Sequence, residues 1–350
     1  MKLSSKLVVA ALSFATVMGL ASCDKRKTLN LYTWTYYTPA EVVEAFEAEF
    51  DCKVVVTEYD SNETMYTKLL NGGAGSFDIV VPSQDYVSIM MAQNMLQPIV
   101  QEKFTNRDKI NPKVLEKATY DPEMKYAVPY YFGAAGISVN KTKVTNPDYA
   151  RDWSIFEDEQ FKGHASMMDD FREVMGDALM HKGYSVCSVN DSELDTVTSY
   201  IKTKWLPNIV KFDAEGFGKD FASGNLWLCQ GYAEVVNGEV TPEFWEKNVD
   251  FFIPAEGGPS YLDSMCILKD SKNAELATEF MNFIHRPENY AKFLDSFMFP
   301  CYVNTEAEAF MTTTPIYKAS ELDNCQLKMD LGEDIAKYTD RWEKQIRVMN

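Results

Sequence analysis

The sequence predicts an α/β protein of two lobes, each a largely parallel sheet flanked by helices, with a ligand cleft between the lobes. Three observations lead there. Beyond a short apolar leader roughly 330 residues remain, which favours two domains over one. In the stretch that follows the leader, β-branched runs alternate with apolar-faced segments of helix length. A second series of the same type, though not of the same sequence, begins after Asn140.

The leader comes first. Met1-Lys2-Leu3-Ser4-Ser5-Lys6 carries two lysines and no acid, and the apolar run 7–21 is too short for a comfortable membrane span. Residues 1–22 therefore read as a signal peptide. The run Leu20-Ala21-Ser22-Cys23 resembles the bacterial lipobox, in which the cysteine is diacylated and becomes the new N-terminus. The plainer alternative is a signal followed by an incidental cysteine. On the lipobox reading, Cys23 is lipidated and 23–27 form a short linker. Acyl chains contribute about 0.8 kcal/mol per buried methylene, enough to anchor the chain without a spanning helix. No later apolar stretch approaches the ~20 residues a span needs, so the expected location is the periplasm or cell envelope, held to the membrane by the lipid alone.

The elements then follow in order. The apolar alternation at 29–34 predicts a strand, and Thr38-Pro39 opens a helix carrying Val42, Phe46 and Phe50 on one face. The β-branched run 53–59 predicts the next strand. Asp60-Ser-Asn-Glu63 is a helix-start pattern, and the helix runs through Leu70 to a stop at Gly72-Gly73. A third strand at 77–81 is broken by Pro82-Ser83. Strands alternating with helices call for a largely parallel sheet, because right-handed crossovers place helices on both faces. In the second series, helices are expected at 170–181 and from 192 to about 204, with strands at 226–230 and 249–253. A strand at 261–268 precedes a helix at 273–285, whose Leu276, Phe280, Phe283 and Ile284 share a face. Ligands of such sheets sit outside the carboxyl ends of the strands.

Composition narrows the function. The chain has 34 basic against 52 acidic residues and a net charge of -18, which becomes slightly more negative once the two leader lysines are removed. So acidic a surface repels nucleic acid and anionic lipid and draws in cations, and no nucleic-acid partner is expected. The cysteines after Cys23, at 52, 187, 229, 266, 301 and 325, lie far apart and form no metal-binding spacing. They allow three bridges, but Leu228-Cys229 and Met265-Cys266-Ile267 favour buried free thiols. His164, His181 and His285 do not cluster in sequence, so neither a His-based zinc site nor a Ser-His-Asp triad is expected, nor any cofactor.

Five places join aromatics, carboxylates and strand ends: Trp34-Thr35-Tyr36-Tyr37, Pro82-Ser83-Gln84-Asp85-Tyr86, Asp169-Asp170-Phe171-Arg172-Glu173, Gln230-Gly231-Tyr232 and Tyr261-Leu262-Asp263-Ser264. Each alone has a plain structural reading. Trp34 is as readily core as platform, Asp170 with Glu173 is the D-x-x-E of a helix start, Asp263 suits a turn, and Ser83 suits a cap. Together they describe a box for an amine, with aromatic faces for methylenes and cationic charge and carboxylates for ammonium hydrogens.

On Trp34-Thr35-x-Tyr37, the run Tyr59-Asp60-Ser-Asn-Glu-Thr-Met-Tyr66-Thr-Lys-Leu69, Phe77-Asp-Ile-Val-Val-Pro-Ser83, Asp169-Asp-Phe-Arg-Glu173, Glu256-Gly-Gly and Asp263-Ser264, the chain resembles the periplasmic spermidine/putrescine-binding proteins of polyamine ABC importers. The likeness spans nearly everything after the leader. It implies the type II periplasmic-binding architecture, in which the chain crosses between lobes more than once and the lobes hinge shut on the ligand. The lobes would then be 28–135 with about 264–305, and about 136–263 with 306–350. It further implies that Trp34 and Tyr37 pack on the polyamine chain, Thr35 and Ser83 offer polar contacts, and Asp170, Glu173 and Asp263 pair with cationic nitrogens. Tyr232 and Tyr261 stand where tryptophans are expected, Phe299 and Asp85 where tyrosines are, and Ala214 in place of a serine. Gln326 matches a family glutamine. The implied partners are a polyamine and the membrane permease and ATPase subunits of an importer.

Three rival readings remain at this point. Asp170 and Glu173 could act as an acid–base pair, although their spacing aims both at one cation and no nucleophile or phosphate cradle accompanies them. The pairs Tyr36-Tyr37 and Tyr130-Tyr131 could supply phenolates to ferric iron. A lipoprotein of this kind could also serve as a sensor or adhesin.

Overall fold

The computed structural model describes residues 26–349 except Tyr36, so the signal peptide and Cys23 lie outside the described residues. The first sheet begins with β1 (Lys27–Trp34), β2 (Cys52–Tyr59), β3 (Ile79–Val80), β4 (Leu96–Gln97) and β5 (Ala127–Ala134). Ala135 alone separates β5 from the second sheet, which holds β6 (Gly136–Asn140), β7 (Ala165–Met167), β8 (Ile209–Phe212), β9 (Leu228–Gly231) and β10 (Val249–Phe252). The chain then returns to the first sheet as β11 (Pro259–Leu268) and, later, β12 (Gln326–Leu327). After β12 it crosses again: Tyr338, Trp342 and Ile346 from the C-terminal helical segment pack into the second lobe's core beside Trp153 and Trp205.

β1 shows why the first sheet is covered on both faces. Leu29 and Leu31 point into one core with Val42 and Phe46 of the helix Ala40–Phe50 and Phe280 of the helix Ala274–Ile284. Tyr32 points the other way, onto Met65, Val87 and Met90. This alternation of side chains across a strand is what buries β1 from both sides. The helix Ala40–Phe50 starts at Pro39 without a side-chain cap, so Thr38 does not cap it, and it ends at Asp51 in the left-handed region (φ 46°). Ser61 does cap the helix Asn62–Lys68, accepting from Thr64 N.

Both sheets are mixed. β1 pairs parallel with β2 and β3, as crossover helices require, but β11 runs antiparallel to β3, β4 and β5. The reason lies in the crossings. β1 and β3 run toward the cleft and end there, at Trp34 and just before Ser83, whereas β11 re-enters from the cleft and runs outward. In the second sheet β7 is parallel to β8 and β9, and β6 is antiparallel to β9 and β10. All six cysteines of the described residues are free thiols, five of them buried. Among the described residues no helix is long and apolar enough to cross a membrane.

Candidate ligand-binding cleft

A cleft of about 890 Å³ opens where the three crossings run, lined from both lobes. The end of β1 brings Trp34, Thr35 and Tyr37; the loop after β3 brings Ser83 and Asp85; β11 brings Tyr261 and Asp263; and the segment after the helix Pro287–Phe297 brings Phe299. From the second lobe come Asp170, at the start of the helix Phe171–His181, and Tyr232, just beyond β9. Residues widely separated in sequence thus meet in one slot.

Asp263 organises the first-lobe wall. It is 4% exposed, and its Oδ2 accepts from the Tyr37 hydroxyl at 2.8 Å while Oδ1 accepts from Ser83 Oγ at 2.6 Å. Ser83 is held by Asn62, whose Nδ2 donates to its hydroxyl at 3.0 Å and whose Oδ1 accepts from its N–H at 3.2 Å. Burial pushes the Asp263 carboxyl up to about 7, the two hydroxyl donors pulling it back and the neighbouring Asp85 adding to the rise. Asp85 is likewise raised by burial, and its Oδ1 is buried with no donor in reach.

Aromatic rings form the rest of the wall. Tyr232 and Tyr261 meet edge to face at 5.6 Å and 85°, Phe299 stacks on Tyr131 at 3.9 Å, and Trp34 lies 4.9 Å from Tyr59. Trp34 Nε1 donates to Val81 O at 2.9 Å, which fixes the indole beside the cleft. A Cβ on Gly133 would come within 2.5 Å of the Tyr261 hydroxyl, so glycine on β5 is what lets that ring lie across the strand. The Thr35 hydroxyl donates to Tyr59 O at 3.1 Å and is already engaged.

Asp170 caps the helix Phe171–His181 and also faces the cleft. Its Oδ1 accepts from the N–H groups of Arg172 (2.7 Å) and Glu173 (3.2 Å), and the side chain also lines the cleft. Glu173 does not line it. It is wholly buried one layer behind, where Oε1 accepts from the Lys328 ammonium and from the Tyr232 hydroxyl at 3.3 Å, and Oε2 meets no donor. Burial raises its carboxyl, with Lys328 opposing. Gln326 does not line it either: its side chain is exposed and its Oε1 accepts from Val186 N at 3.2 Å. The residue that β12 delivers to the cleft is Lys328, two positions further on.

Other contributors were missed in sequence reasoning. Lys328, Glu234, Tyr59, Phe297, Asp330 and Arg172 also line the cleft, Tyr59 and Arg172 from within the motifs that carry the resemblance. Glu234 is pushed up to about 7 by burial. Glu234, two residues beyond Tyr232, and Lys328, two beyond Gln326, carry no local signature, so little in the sequence points to them.

The ferric-iron and acid–base readings lose part of their geometry, and Tyr36 lies outside the described residues. Tyr130 donates to Tyr37 O at 2.9 Å and Tyr131 shares a hydrogen bond with Tyr317, both wholly buried, so this pair presents no phenolates to the cleft. An acid–base pair fails because Glu173 faces Lys328 behind the wall. Away from the cleft, Asp152, His181 and Glu256 approach within 4.8 Å of one another, although the sequence keeps them far apart. His181 Nδ1 lies 3.0 Å from Glu256 Oε1, which also accepts from Trp153 N, and Asp152 Oδ1 accepts from Ser154 N. These oxygens are committed to holding the loop around Trp153.

Known proteins bear directly on this architecture. The family model for the bacterial extracellular solute-binding protein matches residues 41–320. The chain is similar to the spermidine/putrescine-binding periplasmic protein of Escherichia coli (strain K12), at 31% identity over 354 residues covering 98% of this chain and 99% of that protein. Its similarity to the protein of the same name from Salmonella typhimurium is 33% over 353 residues, with 98% and 99% covered. Among solved structures it is similar to the TpPotD lipoprotein of Treponema pallidum, with 44% identity and a TM-score of 0.85, covering 91% of this chain and 98% of that one. The spermidine/putrescine ABC transporter substrate-binding protein PotD of Streptococcus pneumoniae superposes with a TM-score of 0.81 at 26% identity, again covering 91% and 98%.

Proposed function

The chain belongs to the bacterial extracellular solute-binding proteins, and we propose that it captures a polyamine, spermidine or putrescine, and delivers it to the permease and ATPase subunits of an ABC importer by cleft closure. The observation that carries this reading is the composition of the cleft: rings of Trp34, Tyr37, Tyr232, Tyr261 and Phe299 stand among the carboxylates of Asp85, Asp170 and Asp263. A polyamine is a string of ammonium groups joined by methylenes. Aromatic faces accept both its chain and its charge, and carboxylates accept its N–H groups. Asp85 Oδ1, buried without a donor, is an acceptor that an ammonium would satisfy. The names of the relatives agree with this chemistry, and those relatives are binding proteins rather than enzymes.

Closure would follow from the layout. A ligand touching both lobes binds the closed form better and shifts the equilibrium by that difference alone. The lipobox at Cys23 belongs to the same picture, as a tether that keeps the receptor beside its importer; the Treponema pallidum neighbour is itself a lipoprotein.

Native mass spectrometry of the protein purified without added ligand, followed by calorimetric titration with spermidine and putrescine, tests the reading. A bound amine of polyamine mass and saturable binding of at least one of the two are expected. No heat with either, from protein first unfolded and refolded to strip any ligand, would overturn it.

A further inference from the structure

The cleft wall contains two cations of its own. Arg172 is spent on structure: both terminal nitrogens donate to Met329 O at 3.2 Å, and the guanidinium lies 5.5 Å from the centre of the Tyr338 ring. Lys328 is placed differently. Its main chain is fixed on both sides, with the N–H donating to Ser260 O at 3.1 Å and the carbonyl accepting from Gln84 Nε2 at 2.7 Å. Its side chain, 13% exposed, carries the ammonium onto wholly buried Glu173. Burial opposes that charge, but Glu173, Asp170 and Asp85 together hold the ammonium above its ordinary range, and the same ammonium also acts on Asp263. Its field thus reaches Asp85, Asp170 and Asp263 as well as its partner Glu173.

Chemically, a lysine side chain is a butylammonium, one end of a diamine attached to the backbone. We propose that Lys328 is a specificity-determining residue whose tethered ammonium takes the cation position at Glu173, so that the cleft favours a diamine over a triamine. This inference rests on the polyamine reading above. The buried carboxylate of Glu173 is already paired with the Lys328 ammonium, so a ligand nitrogen approaching it meets a like charge rather than a free acceptor. A third ammonium would have to settle beside Lys328 in a desolvated slot, where like charges repel strongly. Because the Lys328 backbone is held at both ends, only side-chain rotation could clear the position, and that would strand Glu173 in the interior without its partner.

Calorimetric titration of the whole protein with putrescine and with spermidine reads the effect. The native protein should bind putrescine the more tightly. Lys328→Met keeps most of the side-chain volume and removes the charge; it should tighten spermidine by about tenfold while changing putrescine much less, since one charge-assisted contact is worth about that factor. A selectivity ratio that does not move, or a native preference for spermidine, overturns the proposal. Should Lys328→Met fail to fold with Glu173 unpaired, Lys328→Met with Glu173→Gln removes both charges together and leaves the net charge of the wall unchanged; the native ratio must then persist, and a ratio moved tenfold toward spermidine is equally fatal. If the native protein binds neither amine, the polyamine reading falls and takes this inference with it. If it binds both and the ratio of Lys328→Met alone stays at the native value, the polyamine reading stands and the role of Lys328 falls.

Discussion

Replacing Asp263 by asparagine keeps the side chain's shape and removes its charge, at the point where the Tyr37 and Ser83 hydroxyls converge. Both hydroxyls can rotate to accept from an amide, so the wall should survive the change. What is lost is the charge-assisted bond to a ligand nitrogen, about 1.5 to 3 kcal/mol, or roughly a tenfold to hundredfold weaker affinity. The pH dependence gives a second handle. Asp263 in the free cleft is held at about 7, and an arriving ammonium stabilises the ionised form, so binding releases a proton whenever the free carboxyl is protonated. Affinity should therefore rise with pH through the neutral range, by up to ~10-fold per unit below 7, and level off above it. Asp263→Asn should flatten that profile as well as lower it. Calorimetric titrations at pH 6, 7 and 8 with the native protein and the variant measure both. A useful control is Glu49→Gln, on the far side of the first lobe, where Glu49 pairs with Arg286 at 2.7 and 2.8 Å. Losses of equal, small size in the two variants, or an unchanged pH profile for Asp263→Asn, would refute the assignment of Asp263 as a ligand carboxylate.

Closure is open to small-angle scattering: saturating putrescine or spermidine should reduce the radius of gyration, and no change with either would count against a hinge. Asp177, on the helix Phe171–His181, is wholly buried with no protein donor to either oxygen, and burial followed by the nearby Glu173 charge holds its carboxyl well above the usual range. The folded state thus keeps a proton that the unfolded chain gives up near pH 4, and stability should fall by up to ~1.4 kcal/mol per unit as pH rises above that value. Asp177→Asn should remove this slope, so urea unfolding at pH 5 and pH 8 should show the variant gaining on the native protein at the higher pH; a steeper decline in the variant would contradict the account. Labelled palmitate should enter the full chain expressed in a bacterium and be absent from Cys23→Ser, and label retained by the serine variant would remove the anchor.

Much of this protein is written locally. The short apolar run of β1, the serine cap at Ser61 and the apolar face of the helix Ala40–Phe50 each depend on neighbours within a turn or two, which is why they are legible without a structure. So is the gathering of aromatics and acids at strand ends, because in alternating α/β chains those ends share one edge. The direction of β11 was not legible. A ten-residue strand run reads the same in either sense, and only the return of the chain through the cleft makes it antiparallel to β3. The state of the cysteines was likewise undecided until packing placed them apart.

The inner electrostatics belonged to the tertiary structure altogether. Glu173 looks from its own helix like a second ligand carboxylate beside Asp170, yet it meets Lys328 from the other end of the chain and is sealed behind the wall. Gln326 and Lys328 are equally polar in sequence, and the pairing of β12 with Pro259 and Ser260 of β11 decides which of them enters the cleft. Residue type and spacing determined that this chain would build an acidic, aromatic cleft between two α/β lobes, because those patterns act over short range. Which carboxylates stay uncompensated within it was decided by long-range pairing, since the cost of burying a charge depends on the partner that the fold brings to it.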